Sequence, residues 1–197
     1  MSNGDAAWWY EKGRELYTLG RVEEALAAFE QAIALDPQFA YPWNGKGAVL
    51  DALGRPEEAL AAYEQAIALD RQFAYPWHGK GNALRALGRP EKALAAYEQA
   101  IALDPRYASP WHGKGNALHD LGRPEEALAA YEQAIALGPQ YAPSWNGKGN
   151  ALHDLGRPEE ALAAYEQAIA LGPQYAPSWN GKGNALHDLG RPEEALA

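Results

Sequence analysis

The sequence predicts an all-α solenoid of stacked antiparallel helix pairs, and three observations carry that prediction. Gly20, Gly54, Gly88, Gly122, Gly156 and Gly190 recur every 34 residues, a period that marks a chain of like supersecondary units. Residues 143–163 return letter for letter as residues 177–197, so one unit is written about five and two-thirds times. Each copy carries two apolar stripes at helical spacing, separated by a short turn at the recurring glycine.

The copy at residues 142–175 gives the reasons element by element. Trp145, Gly149, Leu152 and Leu155 lie four, three and three residues apart, on one face of a first helix. Gly156 ends that helix, at a place where a left-handed residue is cheap only for glycine. Pro158 suits the first position of the next helix, because the N–H it lacks would have no partner there. Glu159 and Glu160 fall in the first turn, where the helix dipole favours negative charge. Ala161, Leu162, Tyr165, Ala168, Ile169 and Leu171 form the second stripe, and Gly172-Pro173 stops it. A mid-helix glycine costs about 1 kcal/mol relative to alanine. The return of Gly149 in every copy is therefore expected to permit close helix approach, with Trp145 and Tyr165 filling the space on either side.

In chain order the copies span residues 6–39, 40–73, 74–107, 108–141, 142–175 and the truncated 176–197, one repeat domain over residues 1–197. The first is the most divergent, with Val22 in place of proline and Phe29 in place of tyrosine, as suits a copy with one face toward solvent. The second ends in Asp70-Arg71 rather than Asp-Pro, which predicts a less rigid exit turn. The third has Lys92 where its neighbours have glutamate. The fourth and fifth differ at three of 34 positions: Ser109/Pro143, Pro110/Ser144 and His112/Asn146. All three are expected to lie at or near the displayed face. The sixth keeps Trp179, Leu186 and Leu189 on a helix over residues 178–189, an apolar end that predicts end-to-end stacking into a homo-oligomer.

Composition narrows the classes of function. Apolar residues at 47% and charged residues at 22% are globular values and do not indicate disorder. A net charge of −9 argues against nucleic acid or an anionic membrane as partner. The absence of cysteine excludes disulfides and thiolate metal sites. No apolar run approaches the roughly 18 residues that a membrane span needs. The opening residues have no basic stretch followed by an apolar one, so a cytoplasmic protein is expected.

The period, the helix–turn–helix form and the pattern on Trp145, Gly149, Leu152, Gly156, Ala161, Tyr165, Ala168 and Pro173 resemble the tetratricopeptide repeat over about residues 6–197. That resemblance implies a right-handed α-α superhelix. It also implies a non-enzymatic protein-interaction scaffold whose first helices line a concave groove for a peptide or protein segment. Carried over, the groove is lined by Asn44, Asp51, His78, Asn82, Arg85, His112, Asn116, His119, Asp120, Asn146, Asn150, His153, Asp154, Asn180, Asn184, His187 and Asp188. Tyr10, Arg14, Tyr17, Tyr41 and Tyr75 add an aromatic, mildly basic section. Asparagine is the best fitted of these to a peptide backbone, since its amide pairs with both donors and acceptors. Chaperone-associated members hold C-terminal carboxylates with a lysine, asparagine and arginine clamp. The asparagine is matched at Asn82, Asn116, Asn150 and Asn184, and the cationic partners are absent.

Other chemistry finds little footing. His112 and His119 are seven residues apart on one helix, about 10 Å at helical rise, too far for one metal ion with ligand bonds near 2 Å. His119, His153 and His187 form a ladder between copies that is expected to make the groove charge-sensitive near the histidine range of about pH 6.5. No nucleophile elbow, phosphate loop or metalloprotease helix is present, and the recurring GKGN lies mid-helix, so neither catalysis nor a cofactor is expected. Lys46, Lys80, Lys114, Lys148 and Lys182 are expected to lie along neighbouring helices with their heads in water. Two other readings stand beside the scaffold: a self-assembling or consensus-engineered structural module, and an excerpt of a larger protein.

Overall fold

A computed structural model describes residues 4–191, 193 and 194. Among them are eleven α-helices and no strand. The chain forms two compact units, Met1–Asp104 and Pro105–Ala197. The first unit holds three helix pairs: α1 (Ala6–Thr18) with α2 (Val22–Leu35), α3 (Ala40–Ala52) with α4 (Pro56–Leu69), and α5 (Ala74–Ala86) with α6 (Pro90–Leu103). The second holds α7 (Ala108–Asp120) with α8 (Pro124–Leu137), α9 (Ala142–Asp154) with α10 (Pro158–Leu171), and then α11 (Ala176–Asp188). The second helix foreseen for the last copy falls largely on residues outside those described.

Each pair turns in the same way. Gly156 adopts φ +68°, its N–H donates to the His153 carbonyl at 2.9 Å, and the Arg157 N–H donates to the Leu152 carbonyl at 3.0 Å. These two bonds satisfy carbonyls that the helix end leaves orphaned. Pro158 then opens α10 with Glu159 and Glu160 in its first turn, as expected. Where Val22 replaces proline, α2 forms over the same positions. The exit turn at Asp70-Arg71 is as well set as its relatives. Asp70 has φ −140° and ψ 100°, against −141° and 92° at Asp36, and each aspartate carboxylate accepts the backbone N–H two residues on. That side-chain bond holds the turn without proline.

The helices of a unit are held together by aromatic rings set between glycines. In the first unit Phe29 lies between Gly13 and Gly45, and Tyr63 between Gly47 and Gly79; in the second, Tyr131 lies between Gly115 and Gly147, and Tyr165 between Gly149 and Gly181. A Cβ on Gly149 would stand 2.5 Å from Tyr165 Cε1. Gly149 therefore clears a ring rather than bringing two backbones together, and Gly147, whose core role the sequence pattern did not reveal, does the same for the ring of the preceding copy. Burying each ring contributes about 2 kcal/mol. Around the rings pack small residues such as Ala161 and Ala168, both fully buried, with Leu152 and Leu186. The first copy has Glu11, not glycine, where a preceding ring would sit, and Glu11 is exposed. At the other end Gly183 meets nothing, and Trp179 is 49% exposed.

The lysines bridge copies. Lys46 pairs with Glu30 at 2.8 Å, Lys80 with Glu64 at 2.8 Å and Lys148 with Glu132 at 2.9 Å, each joining a first helix to the second helix before it. Such surface pairs are worth about 0–1 kcal/mol each, so the rings, not the charges, hold the stack.

Candidate peptide-binding face

In the second unit, His119, Asn150, His153, Asp154, Asn180 and Asn184 line one pocket of about 340 Å³, with Tyr165 at its back. The Tyr165 hydroxyl donates to Asn150 Oδ1 at 2.8 Å. Burial, and then the Asp154 charge, raise the phenol well above the ordinary tyrosine range, so it stays a donor. With Oδ1 engaged, the Asn150 amide has its Nδ2 donors to offer. The same bond recurs from Tyr131 to Asn116 at 2.8 Å and, in the first unit, from Tyr97 to Asn82 at 2.8 Å.

The histidine ladder is interleaved with carboxylates. His119 Nε2 lies 3.0 Å from Asp154 Oδ2, and His153 Nε2 lies 2.9 Å from Asp188 Oδ2, so each histidine meets the next copy's aspartate. His187 is 82% exposed, with Nδ1 3.6 Å from Asp188 Oδ1. No group of three or more His, Asp or Glu among the described residues could hold a metal ion.

Two expected face residues turn out differently. Asn146 is only 7% exposed and accepts from Ser178 Oγ at 3.2 Å, so it is a junction between copies and not a displayed amide. Its counterpart His112 has Nδ1 3.2 Å from Ser144 Oγ and Nε2 3.0 Å from Asn116 Nδ2. Ser144 and Ser178 are buried at 1% and 0%, so each hydroxyl needs a partner. Substitution at these positions thus alters the seam between copies, because a buried serine and a polar residue one copy earlier must match.

In the first unit the equivalent pocket measures about 190 Å³ and is lined by Tyr10, Arg14, Tyr17, Phe29, Tyr41 and Asn44 among others. Arg14 lies 5.7 Å above the Tyr10 ring and pairs with Glu11 at 3.0 Å. Tyr10, Phe39, Tyr41, Phe73 and Tyr75 run on as successive ring contacts of 4.7–5.9 Å. Ala48 takes the asparagine's place in the second copy, and Tyr63 donates instead to Asp51 Oδ2 at 2.8 Å. Burial raises Asp51 above the usual carboxylate range, against the pull of that bond. Desolvation lowers half-buried His78 to about 4, which keeps it neutral at physiological pH. His78 Nε2 lies 3.5 Å from Asn82 Nδ2. Asn82, Arg85 and Asp120 are exposed. The residues that sequence reasoning missed are the serines and the tyrosine hydroxyls. The signal was there: Phe29, the one copy without the hydroxyl, coincides with Arg14 in place of asparagine.

Models of the tetratricopeptide repeat match residues 10–73, 78–142 and 130–163, and a model of the TPR repeat matches residues 149–190. The chain belongs to the tetratricopeptide repeat family. Its fold class is accordingly the all-α helical-repeat solenoid, and it is a protein-interaction scaffold in the general sense of that family. Among solved TPR structures, it is similar to TTC0263, a thermophilic TPR protein in Thermus thermophilus, with 26% identity and a TM-score of 0.76 over 92% of this chain and 99% of that one. It is also similar to YrrB, described as a TPR protein with an unusual peptide-binding site (23% identity, TM-score 0.68, 92% and 93% covered). A third likeness is to MamA (23% identity, TM-score 0.70, 89% and 96% covered). No curated protein matches the chain. Among the described residues no helix is long and apolar enough to cross a membrane.

Proposed function

We propose that this TPR chain holds an extended segment of a partner protein along the polar faces of its first helices, as a non-catalytic cytoplasmic scaffold. The observation that carries the reading is Asn150: its amide is oriented by Tyr165 at the back of a concave pocket, with donors left for a peptide carbonyl. The tyrosine bond recurs at Asn82 and Asn116, whose Nδ2 atoms also lie beside His78 and His112. The net charge of −9 favours a protein partner over nucleic acid or an anionic membrane. The likeness to YrrB, a protein described by its peptide-binding site, supports the same reading. The 34-residue register runs without interruption from residue 6, in keeping with one repeat domain.

A peptide-array screen against the intact chain tests this, with Asn150→Ala and Asn184→Ala as paired changes and Tyr165→Phe as a third. Losing one amide bond is expected to weaken a bound peptide about five- to tenfold, and Tyr165→Phe to weaken it less. Hits that bind all variants equally overturn the groove. If no peptide binds and light-scattering mass instead rises with concentration, the chain is a module that stacks end to end.

A further inference from the structure

Five of the six copies carry an internal clasp. Arg21, Arg55, Arg123, Arg157 and Arg191 each hold the glutamate three residues on through two bonds of 2.5–2.7 Å. The third copy breaks it, because Lys92 stands where the glutamate belongs. Among the described residues, neither Arg89 nor Lys92 makes a side-chain hydrogen bond or ion pair.

Both cations line a pocket of about 430 Å³ whose apolar wall is Leu60, Trp77 and Leu84. Lys80 and Glu64 also line it, but they pair with each other at 2.8 Å. Trp77 is unusual as well. Trp43, Trp111, Trp145 and Trp179 each donate the indole N–H to a proline carbonyl six residues earlier, at 2.9–3.3 Å. Arg71 replaces that proline before Trp77, and Trp77 Nε1 is buried without a partner. One copy thus combines two cations without counter-charges, an indole donor without an acceptor, and an apolar wall.

We infer that this pocket docks an acidic segment of a partner protein, with a carboxylate on Arg89 and Lys92 and a leucine- or phenylalanine-type side chain against Leu60, Trp77 and Leu84. The sibling copies identify the chemistry, since the arginine at this position binds a carboxylate in all five of them. Charge complementarity points the same way: three cations and one carboxylate, already paired, face a pocket in a chain of net charge −9. At about 100° per residue, Trp77, Lys80 and Leu84 lie on a different face of α5 from His78, Asn82 and Arg85, the two sets centred about 130° apart. The site is therefore separate from the peptide-binding face and does not rest on it.

The probe is a fluorescein-labelled peptide of alternating glutamate and leucine, titrated into the intact chain by anisotropy. Lys92→Glu restores the clasp with the sibling residue, so the variant is expected to fold. Saturable binding is expected, weakened about tenfold by Lys92→Glu, as befits one lost charge-assisted contact, and weakened also by high salt. The Trp77 indole N–H resonance, assigned with Trp77→Phe, moves in the wild type on peptide addition and stays in place in Lys92→Glu. Equal affinity in Lys92→Glu, or equal binding of a glutamine–leucine peptide, overturns the site. Self-association that Lys92→Glu abolishes, with no peptide bound, makes a second copy the occupant and overturns the acidic-partner reading.

Discussion

The pocket of the first unit and that of the second stand on equivalent positions four repeat lengths apart, yet they offer opposite chemistries. Arg14 answers to Asn150, Tyr17 to His153, Thr18 to Asp154, Tyr41 to Pro177 and Ala48 to Asn184. Phe29 answers to Tyr165, and Asn44 and Gly45 keep their kinds in Asn180 and Gly181. One pocket is aromatic and cationic; the other is made of amides, imidazoles and carboxylates. The ring between two glycines is common to both, so frame and display vary independently, and what varies in the frame is a single hydroxyl. That hydroxyl is present where an asparagine waits to accept it and absent where Arg14, a donor only, stands in its place.

The frame can be broken in either unit, with the largest effect. Gly45→Val and Gly181→Val are each expected to lose about 3 kcal/mol in urea denaturation, because the new side chain must displace a buried ring. Gly183→Ala, which meets nothing, is expected to gain up to about 1 kcal/mol from helix propensity. A loss at Gly183 as large as at Gly181 would refute the ring-seat account.

Next in size is a pH effect at His78, in the first unit. His78 titrates near 4 when folded and near the ordinary 6.5 when unfolded. Between those values the unfolded chain binds a proton that the folded chain refuses, so stability falls as pH falls through that window. The expected loss from pH 7 to pH 4.5 is about 2 kcal/mol, below the full 1.36 kcal/mol per unit because the ring is partly exposed. His78→Asn, the residue of sibling copies, should remove most of it, and an unchanged pH slope in that variant would rule this out.

The smallest effect sharpens the comparison. Phe29→Tyr alone is expected to cost about 1–2 kcal/mol, since Arg14 offers only donors and leaves the added hydroxyl's proton without an acceptor. Adding Arg14→Asn should recover most of that loss. Purely additive changes in the double-mutant cycle would show that ring and asparagine are not a pair.

Helix ends and pairing could be read from the sequence because glycine after Leu155, Pro158 and the stripe through Trp145 act locally. Gly147 was not legible, because its partner Tyr131 lies 16 residues earlier and meets it only once the helices stack. Asn146 was misplaced on the displayed face because periodicity marks a polar residue as outward. A buried Ser178 hydroxyl, 32 residues away, turns it into an internal partner. The contacts of His119 with Asp154 and of His153 with Asp188 were not legible, because they required knowing which residue of the next copy lies alongside.

The serine seam has a consequence for how such a chain can change length. The copy at residues 142–175 carries both halves of the match, a buried Ser144 toward the copy before it and Asn146 toward the copy after it. It can follow itself without stranding a hydroxyl, as Ser178 on Asn146 already shows. The copy at residues 108–141 carries Pro110 and His112, and so lacks the serine half. A copy of the first kind can therefore be added or removed without leaving a buried serine hydroxyl unpartnered. The part of the chain that is most repetitive is the part whose copy number can drift.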